Sequence, residues 1–105
     1  MVAMDQVEAL SRQIAREFEP ERIILFGSYA RGNQHTDSDV DLLVLLPFDS
    51  KPFRKSLEIL NRINSPFAVD VVVRKPDDAA RRYAEFDPLI RDAFDHGIVL
   101  YERNS

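Results

Sequence analysis

Cysteine and tryptophan are absent from this 105-residue chain, and glycine occurs only three times. Without cysteine, neither disulfide bonds nor thiolate metal sites can form. The chain also lacks the long apolar run that a membrane-spanning helix requires. Residues 1–15 carry Asp5 and Glu8 and have no long apolar core, which excludes a secretory signal peptide. These absences predict a cytoplasmic protein without membrane contact.

The charge balance is acidic, with 14 Lys and Arg residues against 18 Asp and Glu residues and a net charge of −4. Binding to nucleic acid phosphates is driven by positive charge, so we expect no direct nucleic-acid binding. The length suits one compact domain, and 45% hydrophobic residues is ordinary for a globular protein. No repeat, linker or low-complexity segment interrupts the chain, so residues 1–105 are predicted to form a single domain.

Hydrophobic periodicity predicts helices and strands that mix around one sheet, a fold of the α+β or α/β class. The predicted helices span 5–18, 52–63, 78–85 and 88–96, with at most a short helical turn at 30–32, and the predicted strands span 23–26, 39–46, 67–73 and 98–101. Asp5 with Glu8 resembles a capping pair, and Asp87 fits the N-cap position of the last helix. In the 52–63 helix, four apolar side chains are expected on the inner face: Phe53, Leu57, Leu60 and Ile63.

A Gly-Ser turn is joined in this sequence to two aspartates that are one residue apart. Gly27 and Ser28 follow the apolar run 23–26, and Asp39 and Asp41 open a second apolar run. Because strand residues two apart point to the same face, the two carboxylates are expected side by side. Close carboxylates repel unless a cation lies between them, and Mg²⁺ prefers oxygen ligands that it shares with substrate phosphates. Glycine allows close backbone approach to a phosphate, and N–H groups of the turn with the Ser28 hydroxyl can bind its oxygens.

This segment resembles the signature of the nucleotidyltransferase superfamily that includes DNA polymerase beta. The family pattern is Gly-Ser, a spacer and then Asp-x-Asp, and here the spacer between Ser28 and Asp39 is ten residues long. The fuller pattern, Gly-Ser-x-Ala-Arg-Gly followed by Ser-Asp-x-Asp-Leu, is also matched, at Ala30, Arg31, Gly32, Ser38 and Leu42. The resemblance implies a small mixed β-sheet backed by helices on one side, the polymerase beta-like fold.

Asp70 is an acid within the apolar segment 67–73, where an ionised carboxylate needs a partner or a cation. The alternative is an acid on an edge strand that faces water. The superfamily has a third acidic residue on a following strand, and the resemblance assigns that role to Asp70. It implies that Asp39, Asp41 and Asp70 form the catalytic and metal-binding set, in which Asp70 also orients or deprotonates the attacking hydroxyl.

The reaction implied by the resemblance is the transfer of a nucleoside monophosphate. Three carboxylates can hold up to two Mg²⁺ ions, which activate the acceptor hydroxyl and neutralise the leaving pyrophosphate. Positioning and electrostatics then supply most of the catalysis. The implied nucleotide-binding residues are Gly27, Ser28 and Arg31, although Arg31 could equally pair with an acid and brace the loop.

Other polar residues have ordinary structural explanations. Tyr29 is expected to pack rather than to react, and His35 to lie in a loop that faces water. His96 ends the last predicted helix, where a cation favours the helix dipole. Two basic clusters are expected to be mainly solvated: Lys51, Arg54, Lys55 and Arg62, and Arg74, Lys75, Arg81 and Arg82.

The chain ends within a few residues of its last predicted strand and shows no further domain that would bind an acceptor. In this it is similar to the minimal nucleotidyltransferases, single-domain prokaryotic proteins encoded beside a helical HEPN protein. In such pairs the HEPN protein is an RNase-type toxin and the nucleotidyltransferase is its antitoxin. The resemblance implies transfer of AMP from ATP to a tyrosine of the toxin, and an acidic chain suits a basic partner.

Two other classes of function stay open. The chain could be a non-catalytic antitoxin that neutralises a partner by contact alone, although the intact motif residues argue against it: Gly27, Ser28, Asp39, Asp41 and Asp70. It could instead modify a small molecule such as an aminoglycoside, which would need a second domain or a dimer to complete the pocket. The sequence leaves the nucleotide base, the acceptor and the oligomeric state undetermined.

Overall fold

The computed structural model of this chain describes residues 1–103, so residues 104–105 of the predicted domain lie outside the described part. The elements in chain order are α1 (Met4–Phe18), β1 (Arg22–Phe26), α2 (Ser28–Arg31), β2 (Val40–Leu45), α3 (Pro52–Arg62), β3 (Val69–Arg74), α4 (Pro76–Ala84), α5 (Pro88–His96) and β4 (Ile98–Glu102). Within residues 1–103, no helix is long and apolar enough to cross a membrane.

The four strands form one mixed sheet in the order β3-β2-β1-β4. Strand β1 is antiparallel to both β2 and β4, whereas β2 and β3 are parallel. Because of these directions, the last residue of β1 lies beside the first residues of β2 and β3, at one end of the strands. The architecture confirms the predicted α+β class with a small mixed sheet.

Helices cover both faces of this sheet, so the expectation of helices on one side is wrong. On one face, α1 and α3 pack against alternate strand residues through Val7, Leu10, Ile14, Ile59 and Ile63. On the other face, α4 and α5 contribute Ala79, Ile90 and Ala93, which pack against Ile24, Phe26, Leu43 and Leu45. A central strand that is apolar on both faces, as β2 is after Asp41, requires cover on both.

The N-cap of α5 is confirmed, but the predicted cap of α1 is wrong. Asp87 Oδ1 accepts hydrogen bonds from the backbone N–H groups of Leu89 and Ile90, at 3.0 and 3.2 Å. Helix α1 begins one residue earlier than predicted, and its N-cap residue is Ala3. The N–H of Ala3 donates to Gln6 Oε1 at 2.9 Å, so Gln6 takes the position that the sequence suggested for Glu8.

The predicted inner face of the 52–63 helix is right for Leu60 and Ile63 and wrong for Phe53 and Leu57. Ile59 and Ile63 are buried and Leu60 is partly buried, whereas Phe53 and Leu57 are 72% and 42% exposed. The helix packs mainly on β3, which is the last strand on its side of the sheet. Only one part of its apolar surface therefore meets the sheet, and the other part faces outward.

Candidate active site

The motif residues lie together where β1 ends and β2 and β3 begin. Phe26, the last residue of β1, is paired with Asp41 of β2, and Asp41 is in turn paired with Asp70 of β3. Neighbouring strands lie about 4.8 Å apart, so these residues form a row across the sheet. Antiparallel β1 therefore delivers Gly27, the next residue in the chain, to the beginning of the two parallel strands.

Gly27 lies directly against the carboxylate of Asp41. Its φ of 76° and ψ of −154° belong to a region that is essentially restricted to glycine. A Cβ atom built on this backbone would collide with Asp41 Oδ2. The missing side chain thus lets the backbone of the turn come close to the carboxylate.

A single helical turn, α2, follows Gly27 and fixes Ser28 beside the strand ends. The carbonyl of Gly27 accepts from the N–H groups of Ala30 and Arg31, at 3.1 and 3.2 Å. Tyr29 is buried, and its hydroxyl accepts from the N–H of Val2 at 3.1 Å. The prediction that Tyr29 packs rather than reacts is therefore confirmed, and its anchoring holds the turn in place.

Asp41 is the half-buried acid of the site. Burial is the main reason that its pKa rises from 3.8 to about 6, and the negative charges of Asp70 and then Asp39 raise it further. The Arg31 guanidinium acts in the opposite direction, and the carboxylate of Asp92 adds to the repulsion. Asp41 therefore sits in a negative field that a cation would relieve.

Asp39 is exposed and lies just before β2, which begins at Val40 rather than at the predicted residue 39. The preceding loop is closed by a reciprocal pair of hydrogen bonds. The N–H of His35 donates to Ser38 Oγ at 3.0 Å, and the N–H of Ser38 donates to the carbonyl of His35 at 2.9 Å. Ser38 of the motif thus fixes the turn that delivers Asp39, while His35 itself is exposed as expected.

Asp70 is exposed, which corrects the argument that it is an acid enclosed by an apolar strand. Strand β3 is the edge of the sheet, and water reaches this side chain without a large desolvation cost. The sequence analysis treated a water-facing acid and a member of the metal-binding set as alternatives for Asp70, and the structure is compatible with both. Asp70 faces water on an edge strand, and it is also the register partner of Asp41.

Arg31 pairs with an acid that the sequence motif does not include. Its Nη2 lies 3.5 Å from Oδ2 of Asp92 on α5, with 47% of the arginine side chain and 25% of the aspartate side chain exposed. Asp92 is 61 residues away along the chain, and no local pattern links it to the motif. The pairing that braces the loop is thus present, and it leaves the guanidinium accessible from solvent.

Half of the residues in the two basic clusters pair with acids of the same chain. Lys55 pairs with Glu58 at 3.3 Å and Arg62 with Glu17 at 3.2 Å. In the second cluster, Arg81 and Arg82 both pair with Asp78, which lowers the pKa of that carboxyl. His96 is exposed at the end of α5, the position that the sequence predicted for it.

The donor set of the site fits a hard divalent cation. Asp39, Asp41 and Asp70 offer carboxylate oxygens, and the raised pKa of Asp41 shows that their charges are close enough to repel. Across residues 1–103, no three acidic, histidine or cysteine side chains are drawn into ligating geometry.

A family model for the nucleotidyltransferase domain matches residues 7–100. The chain belongs to the nucleotidyltransferase domain family. The match includes the turn at Gly27, all three strand-end aspartates and most of β4. It bears out the resemblance that the motif carries.

Two curated relatives of this nucleotidyltransferase domain are predicted protein adenylyltransferases of Methanocaldococcus jannaschii. One of them, MJ1379, is 34% identical over 62 residues, which is 56% of this chain and 62% of the relative. The other, MJ0141, is 62% identical over 26 residues, which is 25% of this chain and 26% of the relative. The chain thus matches less than two thirds of the length of either relative.

Solved structures with the same fold confirm the nucleotidyltransferase architecture. A predicted nucleotidyltransferase from Sulfolobus solfataricus has a TM-score of 0.70 at 20% identity, covering 97% of this chain and 82% of that one. A chain of a toxin–antitoxin structure with AMP-PNP has a TM-score of 0.60 at 24% identity, covering 92% and 74%. A chain of the toxin–antitoxin pair MntA–HpeT has a TM-score of 0.59 at 20% identity, covering the same shares.

Proposed function

We propose that residues 1–105 act as a single nucleotidyltransferase domain that moves AMP from ATP to a hydroxyl group of a protein, with Mg²⁺ as cofactor. One observation carries this proposal: Gly27 lies against Asp41, and Asp70 is the register partner of Asp41. A close approach of the backbone beside two carboxylates suits attack on a nucleotide phosphate, where positioning and electrostatics supply most of the catalysis.

The choice of ATP and of a protein acceptor is supported by the similar proteins. Both curated relatives are named as predicted protein adenylyltransferases, and one structure of the same fold is a toxin–antitoxin structure with AMP-PNP. These descriptions apply to those proteins. They favour adenylyl transfer to a protein over transfer to an aminoglycoside for this chain.

Asp39, Asp41 and Asp70 are the residues that would hold Mg²⁺. When bound, the cation neutralises charge on the triphosphate and lowers the pKa of the attacking hydroxyl. The half-buried Asp41 supplies the fixed ligand, because Gly27 packs against its carboxylate. The exposed Asp39 and Asp70 can turn toward a ligand at little cost.

In the proposed reaction, the oxygen of the acceptor hydroxyl forms a bond to the α-phosphorus of ATP. The bond between that phosphorus and the bridging oxygen breaks, and pyrophosphate leaves with the electron pair. The proton of the hydroxyl passes to Asp70, whose exposure at the sheet edge leaves it open to a macromolecular acceptor. Asp70 is therefore the proposed base as well as a metal ligand.

The nucleotide contacts are assigned to the turn after β1. Gly27 gives the phosphates access to the backbone, and the Ser28 hydroxyl lies at the first position of α2. Arg31 ends that turn with its guanidinium half exposed, so it can move from Asp92 to a phosphate. Exchange of a carboxylate for a phosphate partner keeps a charge-assisted hydrogen bond.

The proposed acceptor is a tyrosine of a HEPN-family RNase toxin, which makes this chain an antitoxin that acts in the cytoplasm. Two toxin–antitoxin structures share its fold, which supports this assignment. Attachment of AMP adds a bulky anionic group to the toxin, which would block its RNA-binding surface by repulsion.

The test first reads the gene beside the one for this chain, where the proposal requires a HEPN-family protein. That HEPN protein is then mixed with the purified chain, ATP and Mg²⁺, and weighed by intact mass spectrometry. We expect the added mass of AMP with the wild type and with Asp49→Asn, which changes an exposed acid in the loop that follows β2, at the other end of that strand from Asp41. We expect no added mass with Asp41→Asn or Asp70→Asn. Binding of the HEPN protein should persist in both of these variants, because each keeps the size of the side chain.

The outcomes separate catalysis from contact. Modification by the Asp70→Asn variant would remove Asp70 from the catalytic set. Full neutralisation of RNase activity by that variant, without added mass, would instead establish a contact-only antitoxin. Absence of transfer by the wild type to the HEPN protein, with transfer to an aminoglycoside, would overturn the protein acceptor.

A further inference from the structure

The outer face of α3 carries an apolar strip that residues 1–103 leave uncovered. Phe53 and Leu57, one turn apart, are 72% and 42% exposed, while Ile59 of the same helix and Ile63, which directly follows it, are buried. A groove of about 820 Å³ runs along this face between Phe53 and Arg62. Large apolar side chains grouped on one helix face are typical of a protein-binding surface.

A second groove continues the first across the edge of the sheet. It measures about 380 Å³ and is shared between Phe53 and Ser56 of α3 and the segment 71–74 of β3. Phe53 lines both grooves, so the two form one surface. We call this combined surface the α3–β3 groove.

The edge of β3 is closed to the addition of another strand. The outward carbonyl of Val71 accepts from Ser56 Oγ at 2.6 Å, and the carbonyl of Val73 accepts from the Arg74 guanidinium at 2.8 Å. An added strand would need these carbonyls for its own hydrogen bonds. An occupant of the groove therefore binds through side chains, as an amphipathic helix does.

The rim of the groove is positive although the chain as a whole has a net charge of −4. Arg54, Arg62, Arg74 and Arg82 line it, against one acid, Glu58. Glu58 already pairs with Lys55, Arg62 with Glu17, and Arg82 with Asp78 and Asp87. Within residues 1–103, Arg54 has no ion-pair partner, and Arg74 Nε is buried without a hydrogen-bond acceptor.

We propose that the α3–β3 groove docks an amphipathic helix of the protein acceptor, with its apolar stripe on Phe53 and Leu57 and its acidic flank on Arg54 and Arg74. A second copy of this chain fits less well, because each copy would present the same excess of arginines to the other. This inference rests on the proposed function, since it supplies the docking surface for a protein substrate.

The α3–β3 groove also lies close enough to Asp70 to dock a protein substrate. Asp70 lies near the beginning of β3, and Val73 lies three residues further along the same strand. At about 3.3 Å per residue, the two positions are about 10 Å apart. A helix in the groove would therefore bring an adjoining segment of its own chain around the sheet edge to the catalytic carboxylates.

The experiment compares the Michaelis constant for the HEPN protein in AMP transfer between the wild type and a Phe53→Ser/Leu57→Ser variant. Phe86→Ser serves as the matched control, because Phe86 is also 72% exposed but follows α4 on a different surface. We expect the double variant to raise this constant at least tenfold, with an unchanged constant for ATP and an unchanged kcat at saturation. Arg54→Glu should act in the same direction, and Phe86→Ser should have no effect.

Three results would overturn the docking surface while leaving the proposed function intact. One is an unchanged Michaelis constant for the HEPN protein in the double variant. Another is an equal rise of this Michaelis constant in the Phe86→Ser variant. The third is a wild-type dimer in sedimentation that becomes a monomer in the double variant, which would make a second copy the occupant. If the wild type transfers no AMP, the proposed function fails first.

In that case an NMR titration with a synthetic helical peptide tests the groove without catalysis. The peptide carries leucines on one face and glutamates beside them, and its counterpart carries lysines in place of the glutamates. Resonance shifts at Phe53 and Leu57 with the acidic peptide alone would support an acidic occupant. Equal shifts with both peptides, or none with either, would overturn it.

Discussion

Gly27 and Asp41 are fitted to each other, since any side chain at position 27 would collide with the carboxylate of Asp41. The ideal Cβ position lies only 3.3 Å from Asp41 Cγ and closer still to Oδ2. The backbone of Gly27 independently requires glycine, with a φ of 76° and a ψ of −154°. The close contact with Asp41 and the backbone conformation thus both require glycine at position 27.

Replacing this glycine by alanine tests both requirements. Gly27→Ala should lower the free energy of unfolding by about 2–4 kcal/mol, because backbone strain adds to the collision with Asp41. Gly32→Ala is the matched control: it has a φ of 78°, and a Cβ there meets nothing within 4 Å. Strain alone should cost that variant about 1 kcal/mol. Urea unfolding of both variants checks this, and equal losses would show that the close approach at Gly27 has no energetic role.

The raised pKa of Asp41 predicts that this acid opposes folding at neutral pH. Its folded pKa of about 6 is above the ordinary 3.8, so its favourable contribution is complete below pH 3.8 and is lost as the pH rises through 6. Asp41→Asn should therefore stabilise the protein at pH 7, by on the order of 1 kcal/mol once solvent screening is included.

Thermal unfolding in EDTA at pH 7 and at pH 3.5 measures this effect without any metal. The gain should be present at the higher pH and absent at the lower one. Asp49→Asn removes an exposed loop carboxylate and should change neither transition. Destabilisation of Asp41→Asn at pH 7 would contradict the repulsion between the site acids.

Asp87 predicts a pH dependence of the opposite sign. The N–H of Ile90 lowers the pKa of this N-cap carboxyl below 3.8, so its contribution is present above pH 3.8 and is lost as acid protonates it. Asp87→Ala should cost about 1 kcal/mol at pH 7. Chemical denaturation should show this loss shrinking below pH 3.8, while Asp87→Ser keeps most of the cap. A loss that is independent of pH would show that packing, not the carboxylate, stabilises the start of α5.

Arg31 and Asp92 are expected to differ in their effects on nucleotide binding. Their pair is largely exposed at 3.5 Å and should contribute at most about 1 kcal/mol to stability. Arg31→Gln should weaken binding of a non-hydrolysable ATP analogue about tenfold, a loss of 1.4 kcal/mol. Asp92→Asn should tighten it, because a competing carboxylate is removed. Calorimetric titration of both variants with the analogue measures these affinities. An equal weakening of analogue binding in both variants would mean that the pair only braces the loop.

Local signals along the chain located most elements of the fold. Proline and a capping aspartate give α5 bounds that agree with the prediction, because both act within one helical turn. The face of α3 could not be predicted in the same way. Its apolar residues are numerous enough for two stripes, and which stripe is buried depends on α3 lying over the edge strand β3.

In the candidate site, too, local sequence predicted some features and tertiary contacts decided the others. The spacing of Gly27, Ser28, Asp39 and Asp41 identified the family, since these residues act within one strand–turn–strand unit. The proximity of Asp70 to Asp41 is decided by the parallel pairing of β2 with β3, and that of Asp92 to Arg31 by α5 crossing the sheet face. No local pattern encodes these contacts, because they join segments far apart in the chain.

The sequence by itself identified the motif of the candidate site, and the tertiary structure decided its surroundings. Carboxylates one residue apart and a glycine turn can be located from short-range geometry, because a strand places alternate residues on one face wherever it lies. Burial is different, because it depends on what packs against a residue from elsewhere. Only the assembled sheet shows that Asp41 is half-buried, that Asp70 is exposed on an edge strand, and that Phe53 and Leu57 face outward.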